Sequence, residues 1–278
     1  GELEYDNFSI VMAGPVKPGR IPQQLWMHEI EMAEDRVRKA IENGGCAEAD
    51  IDLLVSGDLL NQIISASFTA RDFDFPFLGV YSACATMAES IALASTFVDG
   101  GYAKRVVAAT GSHFSSAERQ YRYPLELGNT RPPQAQWTVT GAGGTFIADM
   151  VPSKKTQRVP AITCATFGKV VDFGITDVNN MGAAMCPAVA SSLLQHFRDT
   201  GRKPTDYDLI VTGDLGAFGS RVLKDLLIEK GYDIVDYTNK LKEFFASKQA
   251  LTNVQKGGDI IIIAASYGVT PSASDNCM

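Results

Sequence analysis

The sequence predicts an α/β protein built from one layered unit used twice in tandem, on three observations. A strand-like segment recurs 156 positions later, two further segments keep that register, and helical stretches lie between them. The segment Asp50 to Leu59 (DIDLLVSGDL) returns as Asp206 to Leu215 (DYDLIVTGDL) with three mismatches. At the same spacing Val106 to Thr110 falls on Ile262 to Ser266, and Tyr81-Ser82 falls on Tyr237-Thr238. A chance match in one strand would not carry its register into two others.

The helical stretches of the first copy are Trp26 to Asn43 and Ala85 to Val98, and those of the second are Ala188 to Asp199 and Leu241 to Val254. Short strands, apolar on both faces and separated by helices, indicate parallel sheets covered on both sides. The polar, turn-forming stretch Val151 to Pro160 breaks the apolar pattern. It sets a first half at residues 1–155 and a second at 156–278. After Thr140 the first half gains a further strand, Gly144 to Met150, whereas Met278 maps to Arg122, so the second half is expected to be shortened and to lack that strand. The glycines of Thr140 to Gly144 precede a strand rather than follow one and open a helix, which excludes a dinucleotide loop.

Composition narrows the function. With 45% hydrophobic and 21% charged residues the chain reads as globular, and a net charge of −7 with 25 basic residues offers no basic footprint for nucleic acid or anionic lipid. Five cysteines, odd in number and without CxxC or Cys/His metal spacing, read as reduced thiols. No signal peptide or transmembrane segment is expected, the longest apolar run being Ile260 to Ala265.

In such sheets chemistry collects where a strand ends and a helix begins, because helix N-terminal amides stabilise an anion. Cys84 lies in such a turn, after the strand Leu78 to Ala83 and before a helix. It reads either as a nucleophile or ligand-contacting thiol, with its pKa expected to be depressed, or as a small residue sealing the corner. Asp58 ends a repeated strand, but its twin Asp214 equally fits a shared capping task. His113 emerges at the same edge and has no repeat partner of its kind, Val269 standing in its place; the plainer alternative is a hydrogen bond to a loop carbonyl. Arg119 and Arg122 follow close behind, suited either to gripping carboxylates or to ion pairs with Glu118 or Glu126. His28 sits in an exposed-looking helical stretch and His196 mid-helix, and both read as structural or solvent-facing.

Asp50 to Gln62, Val98 to Arg105, Ser112-His113, Ala117 to Pro124, Gly168 to Val170, Asp172 to Asp177, Met181 to Met185 and Asp206 to Leu215 together resemble the stage V sporulation protein AD family. That resemblance implies a thiolase-like fold and a ligand, dipicolinic acid (pyridine-2,6-dicarboxylate), with Cys84, Asp58, Asn61 and His113 mapping to the ligand pocket. The family's glycine- and cysteine-rich turn of the second half is absent, Asp236 to Lys240 standing in its place. The resemblance further implies no catalysis, no cofactor beyond calcium carried with the ligand, and a homodimer. It places the protein in the spore, peripheral to the inner membrane, with other stage V sporulation A proteins as partners. The rival reading is a condensing enzyme of the thiolase or ketoacyl synthase III type, using Cys84 as acyl nucleophile. It lacks second-half catalytic residues, since after Val151 the one histidine is His196. A scaffold subunit whose pocket binds nothing is the third.

Overall fold

Alternation along two neighbouring strands decides the layering. The computed structural model describes residues 8–13, 22–113, 140–149, 160–177, 180–207, 209–213, 215–232 and 260–263. These fall into two compact units, one reaching Thr163 and the other starting at Cys164. In the first unit, β1 (Phe8–Ala13) and α1 (Pro22–Asn43) precede β2 (Leu53–Asp58), α2 (Ile64–Arg71), β3 (Phe77–Val80), α3 (Thr86–Asp99), β4 (Arg105–Ser112) and β5 (Thr140–Ala148). They form a five-stranded sheet in the order β1-β5-β4-β2-β3. β2 pairs in parallel with β3 and β4, while β5 is antiparallel to both β4 and β1.

Leu54, Val107 and Ala109 pack with Val37, Ala40 and Ile41 of α1 on one face. Val55, Val106 and Ala108 pack with Ala94 of α3 on the other. Leu54, Val55, Val106 and Val107 are all at 0% exposure, so the middle of the sheet is core on both sides. Each such side chain is worth about 1.5–3 kcal/mol relative to exposure. On α1 the buried positions Glu29, Ala33, Val37, Ala40 and Ile41 recur at helical spacing and form the stripe that meets the sheet. The glycines after Thr140 lie inside β5 rather than ahead of it, and the reason is steric. A Cβ on Gly144 would sit 2.6 Å from the carbonyl oxygen of Arg36, so α1 passes too close for any side chain there.

The second unit contains α4 (Met181–Thr200), β6 (Leu209–Thr212), α5 (Gly216–Glu229) and β7 (Ile260–Ile263), with β6 parallel to β7. Helix α4 starts well before Ala188, the start expected from sequence, and holds Pro187 inside it. Asn180 caps it, its side-chain oxygen accepting from Ala183 N at 3.2 Å. Proline lacks the N–H that would reach the Ala183 carbonyl, and the Cys186 thiol lies 3.6 Å from that oxygen instead. α4 and α5 touch at Gly182 and Gly219, where a Cβ on Gly182 would fall 2.0 Å from the Leu215 oxygen.

The duplication is visible in detail. The 3₁₀ turn Glu48–Asp50 ahead of β2 is matched by Pro204–Asp206 ahead of β6. In each the last aspartate accepts the backbone N–H three residues back, Ala47 N at 3.0 Å and Lys203 N at 2.8 Å. One detail departs from a gapless repeat. Leu53 pairs with Val106, but its counterpart Leu209 pairs with Ile260 rather than Ile262. The slip is two residues, an even number, which preserves the strand's alternation.

A Cβ on Gly57 would lie 2.1 Å from the Val80 carbonyl oxygen, whereas one on Gly79 would meet the flexible end of Ile63, Cδ1 at 2.5 Å. Gly57→Ala is therefore expected to cost about 3 kcal/mol or more and Gly79→Ala about 1 kcal/mol, read from urea unfolding midpoints. Equal costs would show that β2 and β3 are not held at this separation.

Candidate functional site

Because β2, β3 and β4 run parallel, their C-terminal ends share one edge, with Gly57 in register with Val80 and Asp58 in register with Gly111. Helix α2 begins just beyond β2, and α3 begins just beyond the turn that follows β3. The N-terminal part of α1 reaches the same edge: Glu29 lies against Gly111, its Oε1 3.7 Å from where a Cβ would stand. Helices α2 and α3 thus present N-terminal turns to one edge, a polarity that favours an anion.

Asp58, at 2% exposure, accepts the Ala66 N–H at 3.0 Å and so ties the end of β2 to the first turn of α2. Burial pushes its carboxyl up to about 6, partly offset by the Ala66 and Ser65 amides. Asn61, in the turn between β2 and α2, is exposed.

Cys84 lies in a 3₁₀ turn, Ala83–Ala85, that leads into α3. The turn is held by Thr86, whose Oγ1 accepts from Ser82 N at 3.1 Å, donates to the Ala83 oxygen at 2.7 Å and lies 3.4 Å from the Asp58 carbonyl. Ala83 at φ 48° and Ile63 at φ 44° are left-handed without being glycine, and these two strained residues start the turns into α3 and α2. The expected depression of the Cys84 pKa is not found. The residue keeps exposed surface, but protein crowds its sulfur and burial pushes the thiol above its ordinary value, outweighing a favourable backbone hydrogen bond.

His113 is at 1% exposure at the end of β4. His28 is not solvent-facing: it is half-buried, its ring edge-on to His113 with centroids 5.7 Å apart and planes at 81°. Its Nδ1 is shut off from solvent and has no hydrogen-bond partner among the described residues. Glu29, at 1% exposure, escaped the sequence pattern although the signal was present, a carboxylate at a core position of an amphipathic stripe. Asp58, Gly111 and His113 share the sheet face that α1 covers, as Leu54, Val107 and Ala109 do. Glu29, His28, His113 and Asp58 are thereby brought to one corner.

Arg119, Arg122 and Asp214 lie outside the described residues. His196 is structural, its Nε2 2.7 Å from the Tyr207 hydroxyl and its Nδ1 2.9 Å from the Thr166 hydroxyl. No cluster of three or more His, Cys, Asp or Glu suited to a metal occurs among the described residues.

The sequence model of the stage V sporulation protein AD family matches residues 21–266. Stage V sporulation protein AD of Bacillus subtilis (strain 168) is 48% identical over 213 residues, covering 76% of this chain and 61% of that protein, so the chain spans less than two thirds of its relative. Among solved structures, 3-oxoacyl-[acyl-carrier-protein] synthase III of Aquifex aeolicus VF5 is similar with a TM-score of 0.58 at 12% identity, over 95% of this chain and 96% of that one. A single-substitution variant of OleA from Xanthomonas campestris gives 0.59 at 12% identity, over 85% of this chain and 77% of that one. At such identities the likeness concerns the fold, which is thiolase-like.

The folded-state acidity of Asp58 lies weaker than the ordinary 3.8, so folding favours its protonated form. The stability this brings is complete below about pH 3.8 and is lost as pH rises through about 6, on the order of 2–3 kcal/mol. Asp58→Asn, which keeps an acceptor for Ala66 N–H, is expected to flatten that part of the slope; subtracting its urea unfolding profile from that of wild type between about pH 4 and 7.5 isolates the effect. For Cys84, iodoacetamide labelling followed by mass spectrometry is expected to run no faster at about pH 7 than for a free thiol. Fast labelling at that pH would reveal a thiolate.

Proposed function

The chain belongs to the stage V sporulation protein AD family, and from that premise we propose that it is a non-catalytic binding protein for dipicolinic acid. The observation that carries the reading is the strand-end edge, where two helix starts and a pair of imidazoles offer a place suited to a small, flat dianion. His113 donates to a carboxylate, Cys84 lines the wall, and Asn61 closes the edge from the turn after β2. The Asp58 carboxylate keeps its structural bond to α2, and any calcium would accompany the ligand as its chelate. Arg119 and Arg122, outside the described residues, are further proposed ligand-binding residues on the ground of charge alone.

In this proposal the protein takes up dipicolinate into the developing spore and releases it at germination. It works at the inner membrane as a peripheral homodimer beside other stage V sporulation A proteins. No helix among the described residues is long and apolar enough to cross a membrane.

A second reading, an acyl-transferring condensing enzyme, draws on two observations. The fold is shared with 3-oxoacyl-[acyl-carrier-protein] synthase III, and Cys84 follows a strained residue at a strand-to-helix turn. Against it stands a thiol pushed up rather than down.

Calorimetry of the chain with dipicolinate, with and without calcium, separates the two. Binding is expected, weakened about tenfold or more by His113→Ala and less than about threefold by Cys84→Ala, because an imidazole bonds a carboxylate and a thiol only packs. Absence of heat in both conditions, or transfer of an acyl group from an acyl-CoA to Cys84, overturns the binding-protein reading.

A further inference from the structure

The internal repeat acts as a control on which buried polar groups the scaffold itself needs. Asp50 and Asp206 recur and do the same bonding in both copies, so they serve the fold. On the helix that follows the same plan, however, His28 and Glu29 of α1 correspond at offset 156 to Ala184 and Met185 of α4. Met185 is at 5% exposure and belongs to an apolar core cluster. The fold is therefore satisfied by small and apolar residues at these two helix positions.

In the first copy the same positions hold a half-buried imidazole and a carboxylate at 1% exposure. Burying such groups opposes folding unless something compensates. His28 in particular has a ring nitrogen, Nδ1, closed off from solvent without a hydrogen-bond partner among the described residues. A buried, unmatched donor costs stability, and its plainest use is to meet a ligand atom.

Position decides what that ligand atom is. His28 meets His113 edge to face at 5.7 Å, and His113 stands at the end of β4 on the face where α1 begins. Glu29 lies beside them against Gly111. Asp58 is in register with Gly111, on the same face of the sheet.

We propose that His28 is a ligand-binding residue that works as a pair with His113, its Nδ1–H donating to a carboxylate of the bound dianion. This rests on the dipicolinate-binding reading and adds a residue from α1 to that site. Each imidazole then donates to one oxygen of a single carboxylate, or both donate to the same oxygen; in both cases removing His28 removes a charge-assisted hydrogen bond.

The test is calorimetry with dipicolinate on the full chain, comparing wild type, His28→Leu and His28→Asn, the asparagine placing an amide N–H near the Nδ1 position. His28→Leu is expected to weaken binding about tenfold or more and His28→Asn less than about threefold. If wild type binds and His28→Leu loses less than about tenfold, or His28→Asn falls as far as His28→Leu, the pairing is overturned while the binding-protein reading stands. If wild type itself does not bind, that reading falls and this one with it. Should His28→Leu fail to fold, the histidine ring signals of the wild-type protein decide by NMR: both the His28 and His113 ring protons must shift on titration, and an unmoved His28 overturns the proposal.

Discussion

The parallel pairing of β2 with β3 on one side and β4 on the other is the constraint on which the rest depends. It holds three strand ends at one edge, and it is tight enough that Gly57 has no room for a methyl group beside the Val80 carbonyl. Thr86 then links that edge to α3 through the Ala83 and Asp58 carbonyls, and the Asp58 side chain links it to α2. Side chains of the site are placed by backbone that is already fixed. The two left-handed residues, Ile63 and Ala83, are tolerated because this framework over-determines the turns that contain them.

The same edge is unusually rich in buried polarity for a protein core. Asp58, Glu29 and His113 are each at 2% exposure or less, within a sheet whose centre is Leu, Val and Ala. Helix N-terminal amides offset part of the cost for Asp58, which keeps two of them and still titrates near 6. The Cys84 sulfur has a weaker hold, and burial outweighs it. Two groups at the start of two helices thus move the same way, because desolvation at a closed strand end exceeds what the backbone amides return. The expectation of a reactive thiol fails on that balance: a turn before a helix lowers a thiol's pKa only where its amides outweigh the crowding of the sulfur by protein.

Much of the fold is legible in the sequence because the repeat carries register as well as pattern. The strand at Leu53 and its twin at Leu209, and the 3₁₀ turns that precede them, stand at the expected spacing. What sequence does not disclose is set by tertiary contact. Helix α4 runs through Pro187 because the Ala183 carbonyl finds other company, and β5 accepts its glycines because α1 crosses close to Gly144. Of the candidate site, Asp58, Cys84 and His113 are readable as strand-end residues, since topology alone puts them on one edge. His28 and Glu29 are not, because their meaning depends on which strand the helix covers. An amphipathic helix shows which face is inward but not which neighbour that face will meet.

The two copies therefore separate what a scaffold requires from what a site requires. Where both halves bury the same kind of group, as at Asp50 and Asp206, the group is explained by a local bond repeated in each. Where one half buries a carboxylate and the other buries a methionine, packing has no preference that accounts for the difference, since an apolar residue fills the place at lower cost. His28, one residue away, carries a ring nitrogen with no hydrogen-bond partner among the described residues. In the proposed reading a bound anion supplies the acceptor that this nitrogen lacks. Duplication of the layered unit left the second copy free to keep the architecture, and the asymmetry of charge along its first helix marks the half in which binding is proposed to occur.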